Sequence, residues 1–471
     1  MKRGKFFLLS ILCLALALTA ACTPGAEEQR GAQGDGEANL RFLHIWPEHS
    51  AAMKNIIRGI EAQNEGLHVD VDCVEWAELE HTLSTAYASD SMYDVFFMFA
   101  SQVGSMQKQG RLLQLNEYMD EDWAGRFEDG ALDEYRVDGE LYGLPYRGSG
   151  VVVIYNRDLF KRMGWRPPDS MEEFSALMQL ALAEGYVPLS AAGKPDGFEL
   201  DSLRSIVTNY ISLDAGLLDD PDRLTDRKTD WQGELAAGAQ TVKNWANKGY
   251  FGSNPLTVDQ AASMDRFLSG KAAMLLCNTN ELYQLRTQST YMPFELGSFL
   301  IPGIKGGDTL LFTGACYQDG FAVWSETEQA EQAVALLKGL TGPEAAAQWA
   351  QDTLSVMATK DVALEDELLR EFSGYFTIAG RYCVVPDYAL GDSTSLKDQL
   401  FVDFMTSDMT ADTYEKNYET ITRNAIAAAE RSSRGGAQRL TRIFSLFMPQ
   451  TATKSAFFAF FRWMRGGIEP L

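Results

Sequence analysis

The stretch whose reading decides the fold is DGELYGLPYRGSGVVVIYNRDLFKRMG, Asp138 to Gly164. Asp138-Gly139 is a turn dipeptide leading into two apolar, β-rich runs, Leu141 to Tyr146 and Val151 to Tyr155. Between them lies Arg147-Gly148-Ser149-Gly150, whose glycines bend without a Cβ penalty. The pair therefore reads as a crossing between two bodies rather than the middle of one. Asn156-Arg157-Asp158 then breaks the second run before a helix carrying Leu159, Phe160 and Met163, closed by Gly164.

On the N-terminal side, Leu40 to Trp46 is apolar apart from Arg41 and His44, the pattern of a strand inside a parallel sheet. Ser50 is placed to cap a helix with Met53, Ile56, Ile57 and Ile60 on one face, and His68 to Val74 alternates as a second strand. That is a βαβ unit. A third strand, Asp94 to Phe99, ends in Ala100-Ser101-Gln102. Ligands bind such sheets beyond the carboxyl ends of the strands, which puts Trp46-Pro47-Glu48-His49 and the Ser101-Gln102 end on a crevice.

On the C-terminal side, Ser170 and Glu173 form a capping box opening a helix through Leu182. A short strand follows at Gly185 to Leu189, and its end, Ser190 to Phe198, faces the crevice. Leu203 to Tyr250 is mostly helical, and Trp231 is either a mobile aromatic wall or a core residue at a helix start. Thr257 and Gln260 offer a second capping box before Met264, Phe267 and Leu268, and Lys271 to Cys277 is again a strand. Helices follow at Thr327 to Leu340 and Pro343 to Gln351, a cleft-facing segment at Tyr382 to Tyr388, and a last helix at Tyr414 to Glu430.

In order and spacing these strings resemble the extracellular solute-binding proteins of the family-1 type, the sugar-capturing subunits of ABC importers. The resemblance rests on DGELYGLP followed by IYNRDLFKRMG, on Ile45-Trp46, Val74-Glu75-Trp76, Tyr93 to Phe96, Gly110 to Leu115 and the Gly270 to Met274 string. It covers about Leu40 to Ala429. It implies an α/β, two-lobe periplasmic-binding-protein-like fold of type II, with three interlobe crossings and the ligand cleft between the lobes. Lobe I is then 40–147 and 297–324, lobe II 148–296 and 325–430, with the later crossings at Phe294 to Pro302 and Gly314 to Trp324. One departure bears on the ligand: where the family carries Gly-Ser-Trp, this chain has Asn278-Thr279-Asn280, so amides stand in place of a sugar-stacking ring.

The residues expected to touch a carbohydrate are Trp46, Glu48, Trp76, Ser101, Gln102, Tyr146, Arg147, Phe198, Trp231, Asn278, Asn280 and Tyr388. Rings would stack on apolar sugar faces while amides, carboxylates and Arg take hydroxyls. The competing reading of each is packing or a solvated lip. Arg147, Gly148, Ser149 and Gly150 are the expected hinge.

The ends place the protein outside the cytoplasm. Lys2, Arg3 and Lys5 precede the 16-residue apolar run Phe6 to Ala21, a secretory signal too short to span a membrane. Leu18-Thr19-Ala20-Ala21-Cys22 resembles a lipobox, with Thr19 where Leu is usual; it makes 1–22 a lipoprotein signal, Cys22 the lipidation site and 23–39 a flexible tether. Ordinary secretion after cleavage near Ala21 is the alternative. Residues 431–471 are basic and aromatic, either an amphipathic segment on an anionic membrane or an appended tail without fixed structure.

The 471 residues are 46% hydrophobic, enough for a sizeable core. From Thr23 to Glu430 the chain holds 31 basic against 64 acidic residues, and such a body repels phosphate backbones, so nucleic acid is not an expected partner. Cys73, Cys277, Cys316 and Cys383 are widely spaced and read as buried thiols. No phosphate-binding loop, dinucleotide fingerprint, nucleophile elbow or HExxH is present, and His44, Glu48 and His49 make a poor metal trio because His44 lies within the strand. No cofactor and no metal are expected. The reading is a monomeric, lipid-anchored receptor on the outer face of the cell membrane, serving ABC permease subunits. A glycan-acting enzyme, which would need two carboxylates at one sugar bond, and a surface sensor or adhesin on the same scaffold are the alternatives.

Overall fold

A computed structural model describes residues 38–194, 199–216, 231–288, 294–307, 317–360, 362–379 and 393–428. The strands, in chain order, are β1 (Ala38–His44), β2 (Leu67–Cys73), β3 (Val95–Phe99), β4 (Arg136–Val137), β5 (Glu140–Leu141) and β6 (Leu144–Gly148). Then come β7 (Val151–Asn156), β8 (Val187–Ser190), β9 (Ala272–Asn278), β10 (Leu296–Phe299), β11 (Asp319–Val323) and β12 (Val356–Met357). They build a six-stranded sheet, β12-β6-β11-β3-β1-β2, and a four-stranded sheet, β10-β7-β9-β8, each the centre of one body. The two-lobe α/β fold is thereby present.

The first sheet begins as expected: β1 runs parallel to both β2 and β3. β3 reads Val-Phe-Phe-Met-Phe and is buried along almost its whole length as a central strand between β11 and β1. Asp138 and Gly139 have φ of 53° and 86°, the positive pair a tight hairpin turn demands, and they join β4 to β5. β6 then enters the first sheet, and two residues after it ends β7 starts the second.

The expected lobe boundaries need three corrections. Gly148 pairs with Val356 in the first sheet, so the first crossing narrows to Ser149 and Gly150. β10 pairs with β7, Tyr210 donates to the Ile301 carbonyl and the Met171 N–H to that of Gly303, so residues 297–303 stay in the second body instead of opening the first. The largest correction concerns residues 325–359. Helices Ala330–Leu340 and Pro343–Thr353 pack on helix Ser50–Gln63 of the first body, and β12 completes its sheet. The buried stripe Ala333, Val334, Leu336, Leu337 and Leu340 needs an apolar partner, and Gly339 lets the two helices meet so closely that a Cβ there would lie 2.8 Å from Ile60. The third crossing therefore follows Thr359, not Trp324.

Capping also departs from expectation in detail. Ser50 is the first helical residue, with His49 before it. Ser170 does accept from the Glu173 N–H, but Glu173 reaches back to Asp169. Asp259, not Thr257, caps the helix that begins at Gln260, by accepting from the Ala262 N–H.

Candidate functional site

Because β1, β2, β3 and β6 run in one direction and β11 and β12 against them, the carboxyl ends of the first four and the starts of the last two lie on one edge. The first crossing leaves from that edge, and the second returns to it at the start of β11. Trp46 sits there, but it is 2% exposed, its ring packed among Phe97, Tyr146, Phe321 and Trp349 at 4.9–5.8 Å. Tyr146 is 1% exposed in the same cluster. Among the described residues, Trp46 Nε1, Trp349 Nε1 and the Tyr146 hydroxyl have no hydrogen-bond partner. These groups are polar tips in an aromatic wall, and each lacks a bond worth about 1–3 kcal/mol when buried.

Arg147 is committed within the protein. Its Nε donates to Asp319 Oδ2 at 2.7 Å, its Nη1 reaches Ser355 Oγ at 3.5 Å, and its guanidinium lies 4.6 Å over the Trp46 ring. Arg147 lies in β6 just before the first crossing, Asp319 opens β11 just after the second, and Ser355 precedes β12. The sequence proposed Arg147 for both ligand and hinge; the geometry gives it the joint, with both partners of the ion pair 8% exposed.

The facing edge of the second sheet holds the end of β9 beside the start of β7, with Asn278 paired to Val151. Thr279 ties the first crossing to this body: its N–H donates to the Gly150 carbonyl at 2.8 Å and its hydroxyl accepts from the Gly150 N–H at 3.2 Å. Asn278 Oδ1 is used in capping, accepting from the Asn280 N–H, while Glu281 accepts from the Asn278 N–H. Asn280 Oδ1 is buried and has no hydrogen-bond partner among the described residues. Of the two amides that replace the expected ring, only Asn280 therefore has an acceptor to offer.

Across the cleft the bodies touch through rings. His49, 6% exposed, meets Tyr283 of helix Leu282–Gln288 at 4.8 Å, edge to face, and Trp349 of its own body at 5.8 Å. Sequence reading placed His49 on the crevice without naming it a ligand residue, and it missed Tyr283, Trp349 and Asp319 as candidates. An aromatic one helical turn after Asn280 and an acid opening a crossing strand were the available signals.

The remaining candidates divide. Trp76 is 68% exposed just beyond β2, and Glu48 stands 3.9 Å from His49 on the neighbouring turn. Ser101 and Gln102 lie past β3, where the Ser101 N–H donates to Gln318 Oε1 and Gln102 Oε1 accepts from the Phe99 N–H. Trp231 is away from these edges, its N–H donating to Glu419 in the last helix, 411–428, so it is not brought to the others. Phe198, Tyr388, Cys22, Cys316 and Cys383 lie outside the described residues, as do 1–37 and the 431–471 tail.

Burial sets the electrostatics. It lowers both His44 and His49 to about 4, helped at His49 by the Arg147 charge and opposed by Asp352. It raises Glu134 to about 7 against hydrogen bonds from the Gln318 side chain and the Tyr317 N–H, and Glu281 to about 7 against those from Gln260 and Asn278. Among the described residues no three His, Cys, Asp or Glu side chains gather as a metal site, and no helix is long and apolar enough to cross a membrane.

Residues 46–347 match the family described as bacterial extracellular solute-binding protein. A multiple sugar-binding protein of Streptococcus mutans is 22% identical over 369 residues, which is 76% of this chain and 83% of that protein. Among solved structures, a chitin oligosaccharide binding protein superposes with a TM-score of 0.71 at 21% identity, covering 84% of this chain and 100% of the other. The apo form of RafE from Streptococcus pneumoniae superposes with 0.69 at 16%, covering 83% and 98%.

Proposed function

Because this chain belongs to the bacterial extracellular solute-binding proteins, we propose that it captures a carbohydrate between its two bodies and hands it to ABC permease subunits in the membrane. The ligand is an oligosaccharide or modified sugar, and a lipid on Cys22 holds the protein at the outer face. The observation that carries this is the pairing of aromatic walls with uncommitted hydrogen-bonding groups where the bodies face each other. Trp46, Tyr146 and Trp349, at most 2% exposed, spend their ring faces on one another and leave uncommitted polar tips on one side, while Asn280 supplies a buried acceptor on the other. The exposed Trp76 at the lip adds a platform for an apolar sugar face. A ligand that touches both bodies stabilises the closed arrangement by its differential contact with it, and closure is what a permease can read. The sugar-binding names of the relatives support the same ligand class.

A thermal-shift screen against monosaccharides, oligosaccharides, amino acids and short peptides tests the reading. A sugar at one hundred times its Kd stabilises by about 2.7 kcal/mol, well within detection. A shift from an amino acid or peptide with none from any carbohydrate would reject it. Release of the protein from membranes only by detergent, lost in Cys22→Ala, tests the anchor.

A further inference from the structure

We infer that His49 and Tyr283 form a proton-linked closure contact: the two bodies close fully only around an uncharged His49, so mild acid loosens the grip on the ligand. This rests on the solute-binding reading above and adds a regulation of the same cleft.

The geometry comes first. His49 belongs to the turn Pro47–His49 after β1 and Tyr283 to the helix after β9, so the two rings come from opposite bodies and meet edge to face at 4.8 Å. Trp349 covers His49 from its own body, and opening the cleft leaves that cover in place while removing Tyr283. The imidazole therefore gains solvent on opening and loses it on closing. The charged and titratable groups that act on it are Glu48 on its own turn at 3.9 Å, Arg147 from β6, Asp352 from the helix behind it, and His44 from the strand that leads into it. Arg147 disfavours an imidazolium, Asp352 favours one, and burial adds to the side of Arg147.

The result is an imidazole held at about 4 in the closed arrangement against an ordinary 6.5. Closing at pH 5 then expels a proton. If opening restores the ordinary value, ligand affinity falls up to about thirty-fold between pH 7.5 and pH 5.0. His44 is equally depressed, but it is buried within its own body, so it does not follow opening and closing.

Two measurements on the whole protein decide it. In protein labelled at histidine Cε1, NMR should show His49 moving from near 6.5 in the free protein toward 4 with saturating sugar in the wild type and Tyr283→Phe, but staying near 6.5 with sugar bound in Tyr283→Ala, with His44 unmoved; His49→Gln assigns the signal. Calorimetry with raffinose, maltotriose and a chitin oligosaccharide should show weaker binding at pH 5.0 than at 7.5 and a flattened dependence in His49→Gln. An identical His49 titration in the wild type and Tyr283→Ala overturns the inference, as does equal affinity at both pH values or an unchanged slope in His49→Gln. If none of the three sugars binds at either pH, the carbohydrate reading is what fails, and the amino acid or peptide that raises the melting point in the screen above replaces the sugar in both measurements.

Discussion

Removing one partner of the Arg147–Asp319 pair probes the joint between β6, which leads into the first crossing, and β11, which follows the second. Both side chains are 8% exposed and the Nε–Oδ2 distance is 2.7 Å, so neither group has water to fall back on. Asp319→Asn keeps the shape but leaves a guanidinium buried above Trp46 against a neutral amide. Arg147→Met leaves the converse, a buried carboxylate. Each should destabilise by about 3–5 kcal/mol, because an uncompensated buried charge costs more than the pair gains. The double variant Arg147→Met/Asp319→Leu removes both charges and should recover to within about 1–2 kcal/mol of the wild type, since a hydrophobic replacement of a buried pair is often neutral. Urea denaturation followed by circular dichroism reads this directly, and the melting temperature of the single variants should drop by roughly 4–6 °C. The loss should persist in 1 M salt, where a surface pair would be screened within about 3 Å. Single variants within about 1 kcal/mol of wild type, or a double variant as unstable as the singles, would refute the assignment of the pair to a buried joint.

Three further outcomes follow from other parts of the molecule. Gly150→Pro removes the N–H that Thr279 accepts and fixes φ at the crossing, so sugar-induced compaction in small-angle scattering should vanish while the fold survives; unchanged compaction would place the pivot elsewhere. Asn278→Ala removes an N-cap and should cost about 1 kcal/mol of stability, whereas Asn280→Ala, whose Oδ1 has no hydrogen-bond partner among the described residues, should cost little stability and weaken sugar binding; the reverse pattern would sink this division of roles. Glu134, raised from 4.5 to about 7, binds its proton more tightly folded than unfolded, so its contribution to stability is present at low pH and declines as pH rises through that window. Glu134→Gln should abolish that decline, a difference of about 2 kcal/mol between pH 5 and pH 8 in urea midpoints, and parallel profiles for the two proteins would contradict it.

The fold was largely legible because its signals are local. The apolar continuity of Leu40–Trp46 and Asp94–Phe99, the Asp138-Gly139 turn and the glycines at 148 and 150 each report on a few neighbouring residues. The return of helices Ala330–Leu340 and Pro343–Thr353 to the first body was not legible, because an amphipathic stripe says that a helix packs and not on what. The site was less legible for the same reason. Trp46 and Arg147 look like ligand residues by type and place, yet their commitments are to Tyr146, Trp349 and Asp319, up to 303 residues away in sequence. Asn278 and Asn280 are the same residue type two positions apart, and only the capping geometry separates a structural amide from an available one.

The hydrophobic core sets a limit on how the bodies can move. One cluster of buried side chains runs from Phe42, Phe97 and Phe321 of the first sheet through Leu368, Leu369, Phe372 and Phe376 to Val152, Ile154, Leu275 and Cys277 on one face of the second. A separate cluster covers the other face of the second sheet. The helix Glu367–Ala379, which contacts both β10 and β12, is thus a shared floor rather than a part of either body. Ion pairs hold it to the second body: Arg157 with Glu367 and Glu371, and Arg286 with Asp366 just before the helix. Opening must then pivot over this floor and separate the edge where His49 meets Tyr283, because a hydrophobic layer of this size cannot part without exposing it to water at about 25 cal/mol per Å². It follows that Phe372→Ala should lower stability by about 3–5 kcal/mol and disturb closure together, whereas Gly150→Pro should affect closure alone. Melting temperature and scattering measured on the same two proteins separate the roles, and loss of compaction in Gly150→Pro accompanied by an equal loss of stability would show that crossing and floor are one unit.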